Sequence, residues 1–206
     1  MYGKKNNPSN DLWHMIEPFL EYLQAKVAVT ESQLSQLKPL LKQRHLEKGQ
    51  LLLRAGEICL YTAFVTKGCL RSYVIDGKGK EHIIQFAPEN WLISEQISFL
   101  KKEPAMYFID AVEDTAFLPL DAFFLEEFNR VVPTGQHLWD RLLVNSLRSF
   151  QKRLVSQLSE TGEQRYLAFI KTYPSLALRV PLWMIASYLG LTPESLSRIR
   201  KELLLK

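Results

Sequence analysis

The chain has 206 residues, 47% hydrophobic and 23% charged, a composition typical of a globular protein and unlike that of a disordered or fibrous one. Its 26 Lys and Arg residues outnumber its 22 Asp and Glu residues, and the net charge of +4 is compatible with a polyanionic partner without requiring one. This length accommodates two small domains, each able to bury a core of its own.

The N-terminus gives no sign of export or membrane insertion. Its first residues, MYGKKNNPSN, are polar, and no run of about eighteen apolar residues occurs in the chain. We therefore expect a cytoplasmic protein without a membrane partner. Cys59 and Cys69 are too few for a disulfide framework or a zinc site, so we expect both to be reduced and buried.

Two helices are predicted ahead of the β-rich part of the chain. Apolar residues recur at helical spacing from Asp11 to Ala25, although Pro18 interrupts the pattern. A second helix is predicted from Thr30 to Lys42, where Thr30 and Gln33 have the spacing of a capping box. Both helices are expected to serve packing.

From Arg44 to about Asp121, short apolar runs alternate with Gly, Pro, Asp and Lys. Several short strands at such intervals indicate a β-sandwich or barrel. The clearest turn is DGKG, Asp76 to Gly79, because glycine supplies the positive φ that a tight hairpin requires.

A long helix is predicted from His137 to about Gln157, with one apolar stripe along it. The stripe consists of Trp139, Leu143, Leu147, Phe150, Leu154 and Leu158. Such a seam indicates either packing against the same chain or self-association as a dimer. Periodicity alone favours neither interpretation.

The chain from Arg141 onward is its basic part, with eleven Lys and Arg residues against four Glu residues. A helix is predicted there from Gly162 to Thr172, and an extended segment from Leu176 to Val180. A surface for DNA, if the protein has one, is expected in this part.

The sequence from Pro181 to Lys201 has the pattern of two helices joined by a glycine turn. Pro181 opens the first helix, Gly190 ends it as a left-handed cap, and Thr192 is the N-cap of the second. This is the layout of a DNA-reading helix-turn-helix, although it also fits a simple αα-hairpin.

The second of these helices carries the side chains that we expect to contact DNA. They are Thr192, Pro193, Glu194, Ser195, Ser197, Arg198, Arg200 and Lys201. Arg198 can donate two hydrogen bonds to a guanine edge, and Glu194 can accept one from a cytosine amino group. Thr192, Ser197, Arg200 and Lys201 are better suited to phosphate oxygens, which position the helix without reading sequence.

The stretch VPLWMIASYLGLTPESLSRIRKEL, Val180 to Leu203, resembles the helix-turn-helix of the CRP/FNR superfamily of bacterial transcription regulators. Upstream stretches resemble the cyclic-nucleotide-binding-like β-roll of the same family. These are Lys48–Glu57, Val65–Glu81, Phe86–Trp91 and Asp110–Leu120. The resemblance covers nearly the whole chain after residue 30.

The resemblance implies an α+β fold in three parts. A double-stranded β-roll of jelly-roll type with flanking helices would occupy residues 1–132, a long dimerisation helix residues 133–158, and a winged-type helix-turn-helix domain residues 159–206. It further implies a homodimer that binds a roughly palindromic operator in double-stranded DNA, with half-sites roughly 34 Å apart, and that contacts RNA polymerase. The resemblance therefore favours dimerisation as the role of the apolar seam. The dimer would form through Trp139, Leu143, Leu147, Phe150 and Leu154.

The sequence departs from the branch of the family that binds cyclic AMP. Those members carry a Gly-Glu pair and then an Arg that pairs with the phosphate, whereas this chain has Ser94-Glu95 and no Arg between Glu95 and Ala111. A buried phosphate without a guanidinium would be poorly paired, so cyclic AMP is not expected. The roll either holds another small effector, lined by Glu95, Ser98 and Tyr107, or is a vestigial scaffold.

Other departures concern the sensor and the operator. The N-terminus has no cysteine cluster for an iron–sulfur centre. Pro193 stands where well-known members have an Arg, so the operator sequence should differ. Because Lys206 follows the second helix closely, we expect little or no room for the closing strands of a full wing.

Two other functions fit parts of the sequence. A cyclic-nucleotide-type regulatory module would bind ligand without DNA, but the helix-turn-helix argues against it. A cupin-like metal enzyme would need clustered histidines, whereas His14, His45, His82 and His137 are scattered singly. No catalytic motif is present, so no enzymatic activity and no metal are expected.

Overall fold

The computed structural model describes residues 8–205, with side chains described from residue 16 onward. The His14 side chain and the side chains at the start of the predicted helix from Asp11 lie outside the described residues. The chain forms two compact units. The first comprises the described part of Met1–Ser72 together with Phe86–Asp140, and the second comprises Tyr73–Gln85 together with the described part of Arg141–Lys206. The predicted boundaries at residues 132 and 158 stay a prediction.

The order of helices and strands follows the sequence patterns. The described chain is helical at both ends and rich in β-strands between them. The helices are α1 Pro8–Lys26, α2 Glu31–Leu37, α3 Gln96–Lys101, α4 Ala122–Val131, α5 Gly135–Ser159, α6 Gly162–Thr172, α7 Leu176–Arg179, α8 Leu182–Leu189 and α9 Pro193–Leu204. The strands are β1 Arg44–Leu46, β2 Leu51–Leu53, β3 Tyr61–Lys67, β4 Leu70–Ile75, β5 Glu81–Ala87, β6 Leu92–Ile93, β7 Phe108–Ala111 and β8 Thr115–Asp121.

The strands form two four-stranded sheets, in the orders β1-β8-β3-β6 and β2-β7-β4-β5. Strand β8 pairs antiparallel with β1 on one side and with β3 on the other. Side chains from both sheets make up one buried cluster, to which Val65 and Phe117 contribute from the first sheet and Leu70 and Ile109 from the second. The predicted α+β fold with a jelly-roll-like β-roll is confirmed.

Strand β3 is buried on both faces because a helix covers the face that the second sheet does not. Ala63 and Val65 belong to the cluster between the sheets, whereas the ring of Phe64 packs against Phe19 of α1 at a centroid distance of 4.9 Å. Helix α1 runs through Pro18 without a break, so the expected interruption there is not seen.

The capping box at Thr30 is confirmed, because its hydroxyl oxygen accepts a hydrogen bond from the Gln33 backbone N–H and the Gln33 side chain bonds back to the Thr30 backbone. Helix α2 is shorter than predicted and gives way to a 3-10 turn at Lys38–Leu40. Pro39 explains the early end, since it lacks the N–H that a continuing α-helix would use. Cys59 and Cys69 are free and buried, as expected.

The second unit is held by an aromatic cluster between α6 and α8. The ring of Tyr188 lies 5.7 Å from that of Phe169 and 6.0 Å from that of Tyr173. The predicted extended segment from Leu176 to Val180 is wrong, because Leu176–Arg179 forms one helical turn that buries Leu176 completely. None of the described helices combines the length and apolar character that crossing a bilayer requires.

Candidate nucleic-acid interface

Helix α8 ends where the sequence predicts and begins one residue later than predicted, because Pro181, whose ψ of 139° is not helical, is the N-cap rather than the first helical residue. It follows Pro181 directly and buries Ile185, Ala186 and Leu189. Gly190 has a φ of +66°, and its N–H donates to the carbonyls of Ala186 and Ser187 in the last turn of the helix. Only glycine adopts this left-handed conformation without strain, so the predicted C-cap is confirmed.

Helix α9 starts at Pro193, three residues after Gly190. The hydroxyl oxygen of Thr192 accepts a hydrogen bond from the backbone N–H of Ser195 at 3.2 Å, and Pro193 occupies the first turn, where its missing N–H costs nothing. Leu196 is completely buried and fixes the inner face of the helix. The outer face is thereby determined.

The structure leaves most of the predicted DNA contacts on that outer face. Thr192, Pro193, Glu194, Ser197, Arg198, Arg200 and Lys201 are exposed. Ser195 is half-buried, and its backbone N–H is the group that Thr192 caps. The structure therefore brings together one helix face of hydroxyl, carboxylate and cationic groups.

Glu194 and Arg198, two charged residues on this face, have different surroundings. Hydrogen bonds from its own backbone N–H and from the Thr192 hydroxyl lower the pKa of Glu194, so its side chain stays a carboxylate and an acceptor. The Nε atom of Arg198 lies 4.0 Å from a carboxylate oxygen of Glu202, and the Arg198 side chain is 75% exposed. This loose i,i+4 contact contributes little, and a base edge can replace it.

The apolar seam of α5 is exposed over most of its length. Leu143 is 45% exposed, Leu147 57% and Leu154 59%, with Phe150 at 37%. Trp139 is placed differently: its half-buried indole meets the ring of Phe128 edge-on at 5.3 Å within the first unit. Four of the five predicted seam residues thus present apolar surface to their surroundings.

The three predicted ligand-pocket residues come together, but their polar groups are already engaged. A carboxylate oxygen of Glu95 caps α3 by accepting from the Ser98 backbone N–H. The hydroxyl oxygen of Ser98 accepts from the Cys59 backbone N–H at 2.8 Å, and the Tyr107 hydroxyl donates to the Ser94 carbonyl at 3.1 Å. Burial and the nearby Glu95 charge raise the pKa of Tyr107, so its hydroxyl stays protonated.

A cavity opens beside this cluster and does not include those three residues. It has a volume of about 120 Å³, whereas drug-sized ligands occupy pockets of roughly 300 Å³ or more. Its lining consists of Leu52, Leu53, Glu57, Ile58, Cys59, Leu60, Tyr61 and Ile109. The cavity is thus smaller than the pockets that drug-sized ligands occupy.

The histidines with described side chains lie in separate surroundings. His45 is on β1 and His137 is in α5, whereas the Nε2 atom of His82 lies 2.8 Å from a carboxylate oxygen of Asp76. Within residues 16–205, no three His, Cys, Asp or Glu side chains are placed to hold a metal ion.

Sequence reasoning missed one contact inside the second unit. The Ser187 hydroxyl on α8 donates to the Glu81 carbonyl at 2.9 Å and accepts from the Ile83 backbone N–H at 3.0 Å. Arg153 of α5 reaches the Ile83 carbonyl at 3.4 Å. The only sequence signal was a serine inside an otherwise apolar helix, which does not identify a partner about a hundred residues away.

Comparison with known proteins matches residues 43–130 to the cyclic nucleotide-binding domain family. The fumarate and nitrate reduction regulatory protein of Vibrio cholerae is 24% identical over 183 residues, 83% of this chain and 72% of that protein. FixK2 from Bradyrhizobium japonicum has a similar fold, with a TM-score of 0.70 and 20% identity over 80% of this chain and 85% of that one. The Thermus thermophilus catabolite activator protein gives a TM-score of 0.55 and 19% identity over 86% and 84% of the two chains.

Proposed function

The chain belongs to the CRP/FNR superfamily of transcription regulators, and we propose that it binds a roughly palindromic DNA operator as a homodimer. The observation that carries the proposal is α9, which holds its apolar side in the second unit and turns a polar, cationic face outward. A helix of this kind, preceded by a second helix and a glycine turn, is the reading element of a helix-turn-helix.

Two side chains on α9 are suited to read bases. The guanidinium of Arg198 presents paired donors that match the O6 and N7 acceptors of guanine in the major groove. The Glu194 carboxylate, whose pKa is lowered, can accept from the amino group of a cytosine. We propose that these two residues specify adjacent positions of each half-site.

The other exposed groups are suited to the DNA backbone. Thr192, Ser197, Arg200 and Lys201 offer hydroxyl and cationic donors, which bind phosphate oxygens without distinguishing bases. Pro193 offers no donor at all, so it limits what the start of the helix can read. Ser195 is half-buried and would contribute through its place in the N-terminal turn.

Dimerisation is proposed along α5. The exposed residues Leu143, Leu147, Phe150 and Leu154 follow one another at intervals of four, three and four, the spacing of a coiled-coil seam. An exposed apolar stripe of this kind is costly in a monomer and is covered when two copies of the helix pack together. Two reading helices would then meet half-sites roughly 34 Å apart.

Control by a small effector in the roll is the less defined part of the proposal. The missing Arg between residues 95 and 111 and the cavity of about 120 Å³ favour an effector smaller than cyclic AMP. Contact with RNA polymerase is proposed from family membership alone.

Selection from a random duplex library tests the function directly. Purified protein should enrich sequences with two inverted half-sites about one helical turn apart, and sedimentation should give a dimer. Enrichment of no sequence over the input library, at low salt and with a dimeric protein, would support a ligand-binding module without DNA binding instead.

A further inference from the structure

The middle of the hairpin formed by β4 and β5, residues 73–85, is part of the same compact unit as the helix-turn-helix. Residues 73–85, which contain the turn from Asp76 to Gly79, group with the described part of Arg141–Lys206, and hydrogen bonds join the segment to α5 and α8 through Arg153 and Ser187. These hydrogen bonds hold the segment to two helices of its unit.

Strand β5 lies at the end of its sheet, so one row of its backbone groups has no neighbouring strand among residues 8–205. In a strand, alternate residues direct their N–H and C=O to the same side, and an unpaired row on an edge must find other partners or water. Glu81 and Ile83 are alternate residues of this kind.

Side chains from two helices occupy these edge positions. The Ser187 hydroxyl donates to the Glu81 carbonyl at 2.9 Å and accepts from the Ile83 N–H at 3.0 Å. An Arg153 guanidinium nitrogen lies 3.4 Å from the Ile83 carbonyl. A single serine and a single arginine thus take the place of the next strand over three successive backbone groups.

Arg153 also connects this edge to the aromatic groups around it. Its guanidinium carbon lies 4.9 Å from the centre of the Tyr188 ring on α8 and 5.8 Å from the Phe150 ring on α5. Phe150 belongs to the proposed dimer seam, and Tyr188 belongs to the aromatic cluster that holds α8 to α6. The Arg153 guanidinium, which α5 supplies, therefore contacts both strand β5 and the Tyr188 ring of α8.

We infer that Ser187 and Arg153 are positioning residues for DNA binding: they fix α8, and with it α9, on the edge of β5. Neither residue lies on the outer face of α9. Holding the reading helix in place before it meets DNA reduces the entropy lost on binding, which raises affinity without adding a contact. The inference rests on the proposed function, since it concerns the affinity for an operator.

Ser187→Ala tests the serine with two readouts. Amide exchange of the peptide covering residues 76–86 in free protein reports the hairpin contact, and fluorescence anisotropy with the selected duplex reports the affinity. Loss of the hydroxyl should speed exchange at Ile83 and weaken operator binding about fivefold, the equivalent of one ordinary hydrogen bond. Ser187→Thr, which keeps a hydroxyl, should restore both.

The matched control is Ser159→Ala, because the Ser159 hydroxyl donates only to the Val155 carbonyl of its own helix. It should change neither readout. Unchanged exchange in Ser187→Ala would overturn the contact, and faster exchange with unchanged or higher affinity would overturn the positioning role. Because exchange is measured without DNA, a protein that bound no duplex would refute the proposed function while the contact could still be judged.

Arg153→Gln separates positioning from a direct phosphate contact. A positioning arginine should weaken binding while the dependence of affinity on salt keeps its slope, whereas losing a phosphate contact reduces the slope by about one. A reduced slope would make Arg153 part of the DNA surface and overturn its positioning role.

Discussion

The guanidinium of Arg71 on β4 meets the carboxylate of Asp110 on β7 in a two-pronged ion pair, with Nε to Oδ1 at 2.7 Å and Nη2 to Oδ2 at 2.9 Å. Both residues are buried, and β4 and β7 are neighbours in the second sheet. Because both groups are buried, water does not solvate their charges, and each charge is compensated by the other.

Asp110→Ala should therefore lower the free energy of unfolding by about 3–5 kcal/mol, because it leaves a buried guanidinium without its carboxylate. Denaturant unfolding followed by circular dichroism measures the loss. The double variant Arg71→Met with Asp110→Leu is the control and should lose much less, since no buried charge remains. A single variant as stable as the double variant would contradict this, because it would show that the unpaired guanidinium of Arg71 carries no penalty.

Substitution by alanine at two glycines with positive φ should destabilise the protein to different degrees. At Gly190 the new Cβ would meet nothing nearer than the Gln157 side-chain nitrogen at 3.9 Å, so only the backbone strain of roughly 1–2 kcal/mol applies. At Gly68 the Cβ would lie 2.5 Å from the Asp114 carbonyl oxygen, an impossible contact with backbone. Thermal unfolding should give Gly68→Ala a clearly lower melting temperature than Gly190→Ala. The reverse order of melting temperatures would contradict this geometry.

What could be predicted from the sequence is what local interactions determine. The Thr30 capping box, the Gly190 cap and the Thr192 N-cap each depend on groups within four residues, so the pattern of residue types was sufficient. The alternation of short apolar runs likewise indicated the β-roll.

What escaped prediction depends on distant parts of the chain. Ser187 finds its partners 104 and 106 residues away, and no periodicity reports such a contact. Trp139 fits the spacing of the α5 seam, yet its ring packs against Phe128 of α4. Both residues belong to the first unit. Spacing identifies a face of a helix and not what covers it.

Leu147→Asp should convert the proposed dimer to a monomer at micromolar concentration. Leu147 lies at the middle of the exposed seam, 57% exposed, and a carboxylate there would have to be desolvated against its copy. Ser149→Asp adds the same charge two residues away, off the seam, and should leave the dimer intact. Analytical ultracentrifugation of both variants decides, and a dimeric Leu147→Asp would place the interface elsewhere.

The hairpin turn should lose a stabilising contribution only at strongly acidic pH. The His82 side chain and the backbone N–H groups of Lys80 and Lys78 lower the pKa of Asp76 from its ordinary 3.8 to about 2. A lowered folded-state pKa stabilises the protein above the unfolded value, and that contribution disappears as the pH falls through about 2. Carboxyl NMR titration of Asp76 measures it, and a midpoint at or above the ordinary value would contradict the prediction.

Arg198→Ala and Lys201→Ala should weaken operator binding in distinguishable ways. Arg198 is expected to read a guanine, so its loss should cost about 1–3 kcal/mol and relax selectivity at one base pair per half-site, whereas loss of a phosphate contact at Lys201 should weaken all duplexes alike. Both side chains are exposed on α9, so neither change should disturb the fold. Competition binding with single-base operator variants separates the two effects. If Arg198→Ala kept the parent's preference at every position, a different residue would read the guanine.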